Sequence, residues 1–423
     1  MPIHPGELSL NALQLAPSPP TPLPEGEGSV VRKAACQPLS ERSIGAKAMA
    51  ADVIISADSH VFEPIDLWEK RIDKRFRERG PRYIRDYQGK PGTWFVCEGA
   101  TPRSVAGIGA VGIPKEELAK FAGSHYQDLR PGGYDPVERL KDQDIDGVSA
   151  EVLYPTYAMG LYAVEDIELQ EAAFEAYNDW MVELCSHAPE RLAGLALISI
   201  RDVDHAVRNL QRLSKRGLRG AMISAVPPTG TEYSEPRYQP LWSAIEEIGL
   251  PISIHTLTSS RKPGYRFDRT THGAAGYPET PMEVMLTLGE ILTSPLLDRH
   301  PRLRLVLAEA DIGWLPWMLT RLDRGHERYA RQNGIHTELT PREYFRRNFS
   351  AAFIKDREGV FARDFIGVDN LMWSSDYPHT DSTWPRSRES IAHDLEGVND
   401  ADRRKMTCTN AARLYGFELA AAG

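Results

Sequence analysis

The feature that most constrains this chain is a rhythm running from residue 53 to residue 395, in which short apolar runs alternate with longer amphipathic stretches. The apolar runs are 53–57, 147–154, 192–198, 220–224, 251–255, 303–309, 349–353 and 370–376. Each is short enough for a strand and apolar enough to be covered on both faces. The stretches between them carry the helical period. In 166–187, Phe174, Tyr177, Met181 and Leu184 fall on one face. Further helices are expected over 203–215, 240–247, 281–293, 314–329, 357–366 and 387–395, with Gly217 and Gly249 ending the first two. Strand and helix alternation implies parallel strands with helices outside. Eight such units suit an α/β fold of the (β/α)8 TIM-barrel class. A doubly wound open sheet is the competitor, but no glycine-rich phosphate turn follows the first strand.

Two segments stand outside the rhythm. In residues 1–48, Pro17, Pro19, Pro20, Pro22 and Pro24 crowd together ahead of Glu25-Gly26-Glu27-Gly28. Such a segment cannot bury enough apolar surface to offset its ordering, so a disordered extension is expected, with the barrel formed by 49–423. Met49, just before the first strand, suggests a native start there. The second segment, 65–135, is inserted after strand one. A short helix is expected at 66–69. Gly89-Lys90-Pro91-Gly92 separates Tyr83-Ile84 from Trp94-Phe95-Val96, which reads as a hairpin, and a glycine-rich loop follows over 106–112. An excursion of this length is expected to cover one face as a lid, with a decorative hairpin as the alternative.

Composition narrows the partners. The 423 residues carry a formal net charge of −9, which argues against nucleic acid or an anionic membrane. No apolar run approaches the roughly 20 residues needed to span a bilayer. The N-terminus also lacks the basic start and apolar stretch of a signal peptide. Cys36, Cys97, Cys185 and Cys408 are scattered with no CxxC pair, which suits a reducing cytoplasm better than a disulfide framework or structural zinc.

In such barrels the chemistry sits at the C-terminal strand ends. Strand one runs into Asp58-Ser59-His60. Side chains two apart on a strand share a side, so Asp58 and His60 can reach one ion together. Glu63 follows in the loop, a candidate substrate contact. His255 ends strand five, Glu309 and Asp311 end strand six, and Asp376 ends strand eight, with His379 just beyond. Taken singly, each has an ordinary reading: a core histidine, a turn cap, a structural salt bridge. Two histidines and two carboxylates at the same end of separate strands point jointly to a metal site. No lysine ends a strand, so a carbamylated bridge between two metals has no candidate, and one divalent ion is the simpler reading.

The stretches Ala57-Asp58-Ser59-His60, Ile254-His255 and Trp373-Ser374-Ser375-Asp376-Tyr377-Pro378-His379 resemble the amidohydrolase superfamily. The nearer resemblance is to its amidohydrolase-related branch, which includes aminocarboxymuconate-semialdehyde decarboxylase and γ-resorcylate decarboxylase. Asp144-Ile145-Asp146-Gly147-Val148, Arg191-Leu192-Ala193-Gly194-Leu195-Ala196 and Gly313-Trp314-Leu315-Pro316 agree with that branch, so the likeness covers nearly all of the chain from Ile54 to Tyr415. It implies Asp58, His60, His255 and Asp376 as metal ligands, with Asp376 also shuttling a proton. Glu309 and His379 join His255 and Asp376 in the expected catalytic set. Two positions depart from relatives. Asp58 stands where His or Glu is common, and Glu309 stands where the aminocarboxymuconate-semialdehyde enzyme carries His. The oxygen-richer site widens the choice of metal from zinc, the first expectation, to manganese.

Decarboxylation of a small carboxylate substrate is the favoured reaction. Hydrolysis of an ester, lactone, amide or C–C bond by activated water is the alternative, and a metabolite-binding barrel without turnover is a third reading. Arg261, Lys262, Tyr265 and Arg266 follow strand five; Arg261 and Arg266 are candidates to grip the substrate, against the ordinary reading of a solvated basic loop. Relatives in this branch are often dimers, so a homodimer is expected.

Overall fold

The computed structural model describes residues 53–260, 273–330 and 332–419. The extension expected over 1–48, and the four residues Arg261, Lys262, Tyr265 and Arg266, lie outside the described residues. Eight strands form one sheet in chain order: β1 (Ile55–Val61), β2 (Ala150–Pro155), β3 (Leu192–Leu197), β4 (Gly220–Ile223), β5 (Ile252–His255), β6 (Leu305–Ala308), β7 (Phe349–Phe353) and β8 (Leu371–Trp373). Every neighbouring pair is parallel. Parallel pairing requires a crossover between strands, and the outer helices provide it. The fold is therefore the expected barrel.

The seam between β8 and β1 is closed by loop bonds at the C-terminal end. Ser375 N donates to Ser56 Oγ at 2.9 Å. Asp376 N donates to the Asp58 carbonyl at 3.0 Å, and His60 N donates to the Tyr377 carbonyl at 2.6 Å. The residues expected to bind metal thus also complete the barrel wall.

The helix Ile167–Cys185 buries Phe174, Tyr177, Met181 and Leu184, as its period predicts. The helix expected over 357–366 is broken into Arg357–Phe361 and Arg363–Ile366. Several helical regions were not expected from the sequence, among them Pro136–Asp146, Pro341–Asn348 and the C-terminal run from Asp400 to Tyr415. The first was hidden by its chemistry. Its buried residues are Arg139, Asp142, Gln143 and Asp146, so no apolar stripe marks its inner face. It starts where Asp135 accepts from Val137 N and Glu138 N, ahead of Pro136 at the first turn.

The insertion forms the expected hairpin, Arg82–Arg85 with Thr93–Val96, joined by a third short strand, Arg103–Ser104. It is fastened to the C-terminal end of the barrel. Tyr83 Oη donates to the Glu63 carbonyl at 2.7 Å, and Tyr157 Oη donates to the Val105 carbonyl at 3.1 Å. Thr380 N, in the loop after β8, donates to the Ile108 carbonyl at 2.8 Å. Rings of Trp68, Tyr83, Phe95 and Tyr157 pack between the hairpin and the barrel. Among the described residues, no helix is long and apolar enough to cross a membrane.

Candidate metal centre

β1 runs on through Asp58 and His60, with an irregular register between Ser56 and Ser59. The two side chains share a side, as expected, while Ser59 between them turns outward to donate to Glu151 Oε1 at 3.0 Å. His60 Nε2 lies 3.4 Å from Asp58 Oδ1, 3.3 Å from Glu309 Oε2 and 3.5 Å from Asp376 Oδ1. His255 Nε2 lies 3.7 Å from Asp58 Oδ2 and 3.2 Å from Glu309 Oε2. The structure therefore brings together all four residues expected to be ligands. It also adds Glu309, which was expected to serve in catalysis alone.

A metal fits these residues. Asp58 Oδ1 and Oδ2, His60 Nε2, His255 Nε2, Glu309 Oε2 and Asp376 Oδ1 are all buried and have no hydrogen-bond partner. Six convergent orphans would be costly in a folded chain unless a cation satisfied them. Ligands held about 2.1 Å from one ion stand about 3.0–3.4 Å apart, close to the separations found here. The outer nitrogens of the histidines are committed elsewhere. His60 Nδ1 donates to the Pro155 carbonyl at 2.6 Å and His255 Nδ1 to the Thr256 carbonyl at 2.8 Å. That arrangement fixes the tautomer and aims each Nε2 lone pair inward.

The electrostatics agree. Burial works to discharge His60, but Asp58, Glu309 and Asp376 outweigh it and lift the imidazole to about 9. His255 is likewise raised well above its usual range, against its burial, by Asp58 and Glu309. Burial opposes the charge on Asp58, yet His255 and His60 hold it below the ordinary carboxylate range. A field that draws protons onto two buried imidazoles draws a divalent cation equally well.

Backbone strain helps aim the acids. Glu309, Asp311 and Asp376 all adopt left-handed φ, at 50°, 50° and 53°. Non-glycine residues in that region cost energy and cluster at functional sites. Asp311, although it ends the same strand as Glu309, accepts from Ile354 N at 3.1 Å. His379 stacks on His60, ring centroids 3.9 Å apart, and its Nδ1 lies 2.8 Å from Asp376 Oδ1. Glu63, expected at the substrate, is committed to the backbone. It is fully buried and accepts from Thr156 N, Tyr157 N and Ala158 N at 3.1, 3.0 and 2.9 Å. Burial pushes it up to about 7 despite those donors.

Barrel and donor set together define a metal-dependent enzyme whose site opens at the C-terminal face. The family model described as Amidohydrolase matches residues 125–417, and the chain belongs to that family. Asp58 and His60 precede the matched stretch; His255, Glu309 and Asp376 lie within it. A γ-resorcylate decarboxylase from Rhizobium radiobacter is 26% identical over 305 residues, covering 66% of this chain and 86% of that protein. An amidohydrolase from Mycobacterium avium subsp. paratuberculosis K-10 superposes with a TM-score of 0.68 at 21% identity, covering 87% of this chain and 100% of that one. A dihydroxybenzoic acid decarboxylase from Polaromonas sp. JS666, solved with manganese and the inhibitor 2-nitroresorcinol, gives 0.61 at 18% identity, covering 87% and 98%. At these identities the two solved structures speak for the shared barrel.

Proposed function

We propose that the chain catalyses the non-oxidative decarboxylation of a small aromatic carboxylate, such as a hydroxybenzoate. Asp58, His60, His255, Glu309 and Asp376 would hold one divalent ion, which supplies positive charge to fix the substrate's oxygens and withdraw electron density. Manganese is the ion proposed. Three carboxylates beside two imidazoles make an oxygen-rich donor set, and the Polaromonas relative was solved with manganese. The first preference for zinc therefore gives way.

The observation that carries this reading is the placement of Asp376, whose Oδ1 stands 3.5 Å from His60 Nε2 in the donor cluster and 2.8 Å from His379 Nδ1. Burial first, and then the charge of Glu309, raise its carboxyl well above the usual range, which suits it to serve as an acid. Decarboxylation needs an acid there, whereas hydrolysis needs a base. Asp376 passes its proton to the ring carbon that bears the carboxylate. The C–C bond then breaks, its electron pair restores the aromatic ring, and CO2 leaves. The Asp376 carboxylate recovers a proton by way of His379. The name of the Rhizobium relative supports the same reaction and substrate class.

The test is incubation with 2,6-dihydroxybenzoate and other hydroxybenzoates in D2O with Mn²⁺. The expected result is CO2 release, with one deuterium at the carbon that lost its carboxylate. Turnover of esters, lactones or amides without CO2 from any hydroxybenzoate would overturn it. A homodimer in the cytoplasm completes the proposal. Met282, Leu286 and Trp317 are 51%, 72% and 59% exposed on two outer helices, apolar area of the kind subunits cover. Light scattering reads the assembly state.

A further inference from the structure

The seam between β8 and β1 joins two metal-binding residues through single backbone bonds, and one arginine lies across it. Arg139, on the polar-faced helix Pro136–Asp146, is 2% exposed. Its Nη1 donates to the His60 carbonyl at 2.6 Å, and its Nη2 reaches the Tyr377 carbonyl at 3.5 Å. The guanidinium carbon sits 4.6 Å from the Tyr377 ring centroid. Arg139 Nε donates to Glu151 Oε2 at 2.6 Å in a pair whose side chains are 3% and 2% exposed. The same oxygen accepts from Gln143 Nε2 at 2.6 Å, and Glu151 Oε1 accepts from Ser59 Oγ at 3.0 Å. Tyr377 is gripped once more by the same helix, since its hydroxyl donates to Asp142, which also accepts from Arg130 Nε at 2.7 Å.

The chemistry of this arrangement exceeds what holding a helix to a barrel requires. A buried ion pair is a weak source of stability, because desolvation offsets most of its attraction. A planar, pre-organised fork of donors, in contrast, can fix two acceptors at one separation. The two acceptors here are the carbonyl of His60 and that of Tyr377, the residue after Asp376. We propose that Arg139, pinned by Glu151, is a positioning residue for the metal centre, setting the distance between His60 on β1 and Asp376 after β8. The inference rests on the metal reading given above. Lysine keeps the charge opposite Glu151 but presents a single point of donation, so Arg139→Lys separates the positioning role from the charge.

The measurement is Mn²⁺ affinity of metal-stripped protein by calorimetry, with the Mn²⁺ EPR spectrum of the loaded form and the Tm of the stripped form. Arg191→Lys is the control. Arg191 Nε donates to the Ser149 carbonyl at 3.0 Å at the opposite end of β2, a comparable anchor remote from the donors. Arg139→Lys is expected to raise the Mn²⁺ dissociation constant about 10–100-fold and to change the EPR spectrum. Arg191→Lys is expected to stay within about twofold, a spread too small to signal a lost orienting contact. Glu151→Gln, which frees the fork while leaving Arg139 in place, is expected to shift the affinity the same way and serves if Arg139→Lys fails to fold. Unchanged affinity in Arg139→Lys or Glu151→Gln, or a loss matched by Arg191→Lys, overturns the positioning role. A wild-type protein that binds no Mn²⁺ overturns the metal reading together with it.

Discussion

His379 joins the candidate acid to the opposite wall of the site: its Nδ1 stands 2.8 Å from Asp376 Oδ1, and its Nε2 stands 2.9 Å from Thr156 Oγ1. Burial, and then the neighbouring charge of His60, hold this imidazole well below its usual range, so it is neutral. A neutral imidazole with one nitrogen on each side takes a proton from one partner and returns one to the other. Asp376→Asn removes the acid and is expected to lower kcat by about 10²–10⁴. His379→Asn is expected to cost less, about 10²-fold, because water can reload Asp376 slowly. Steady-state kinetics at saturating Mn²⁺ check both, and full rate in Asp376→Asn would remove the proposed acid.

Removal of the metal should be visible in stability as well as in rate. Asp58 Oδ1 and Oδ2, His60 Nε2, His255 Nε2 and Glu309 Oε2 lack hydrogen bonds within the chain, and a bound ion supplies their partner. Binding to the folded state alone adds about 2.7 kcal/mol when free ion is at a hundred times its dissociation constant. Chelation followed by thermal unfolding should therefore give a lower Tm than the manganese-loaded protein, restored on adding Mn²⁺. A Tm indifferent to chelator and ion alike would argue that the donor cluster is structural.

The donors should not contribute equally. His255 is fully buried, and its Nε2 faces both Asp58 and Glu309. Glu309 is the most open member, with its side chain 23% exposed where Asp376 has 4%. Loss of the imidazole leaves two buried carboxylates facing each other across a gap, so His255→Ala should abolish both Mn²⁺ binding and turnover. Glu309→Gln keeps an oxygen toward the ion, and its affinity should fall only about 10–100-fold. Calorimetry ranks the two, and a reversed order would place the ion away from β5.

Much of this centre was legible in the sequence because strand ends follow from apolar runs. Asp58, His60, His255 and Asp376 fall at strand ends, and the family resemblance singled them out as ligands. Other parts were less legible. Glu309 was read at the end of strand six as a catalytic residue, and its place among the donors follows from a left-handed backbone, shared with Asp376, that residue preferences disfavour. Arg139 and Glu151 pair across a helix whose inner face is polar, and hydrophobic periodicity is blind to such a face. One faint sign existed: Glu151 is a lone acid inside the apolar run 147–154. Glu63 could not be placed from sequence alone, because a carboxylate beside a catalytic loop reads the same whether it faces substrate or backbone.

Glu63→Gln separates those two roles. Oε1 receives Thr156 N and Ala158 N, and Oε2 receives Tyr157 N. A glutamine in this dry pocket must turn its amide nitrogen toward at least one backbone N–H, leaving a donor facing a donor. An unsatisfied buried group of this kind costs about 1–3 kcal/mol. The unfolding free energy should fall by that amount, read as a lower urea midpoint with no change in slope. Thr156, which meets His379, rides on the same clamp, so kcat should fall while KM and Mn²⁺ affinity hold nearly constant. If Glu63 instead touched substrate, the glutamine variant would raise KM and leave the unfolding midpoint where it was.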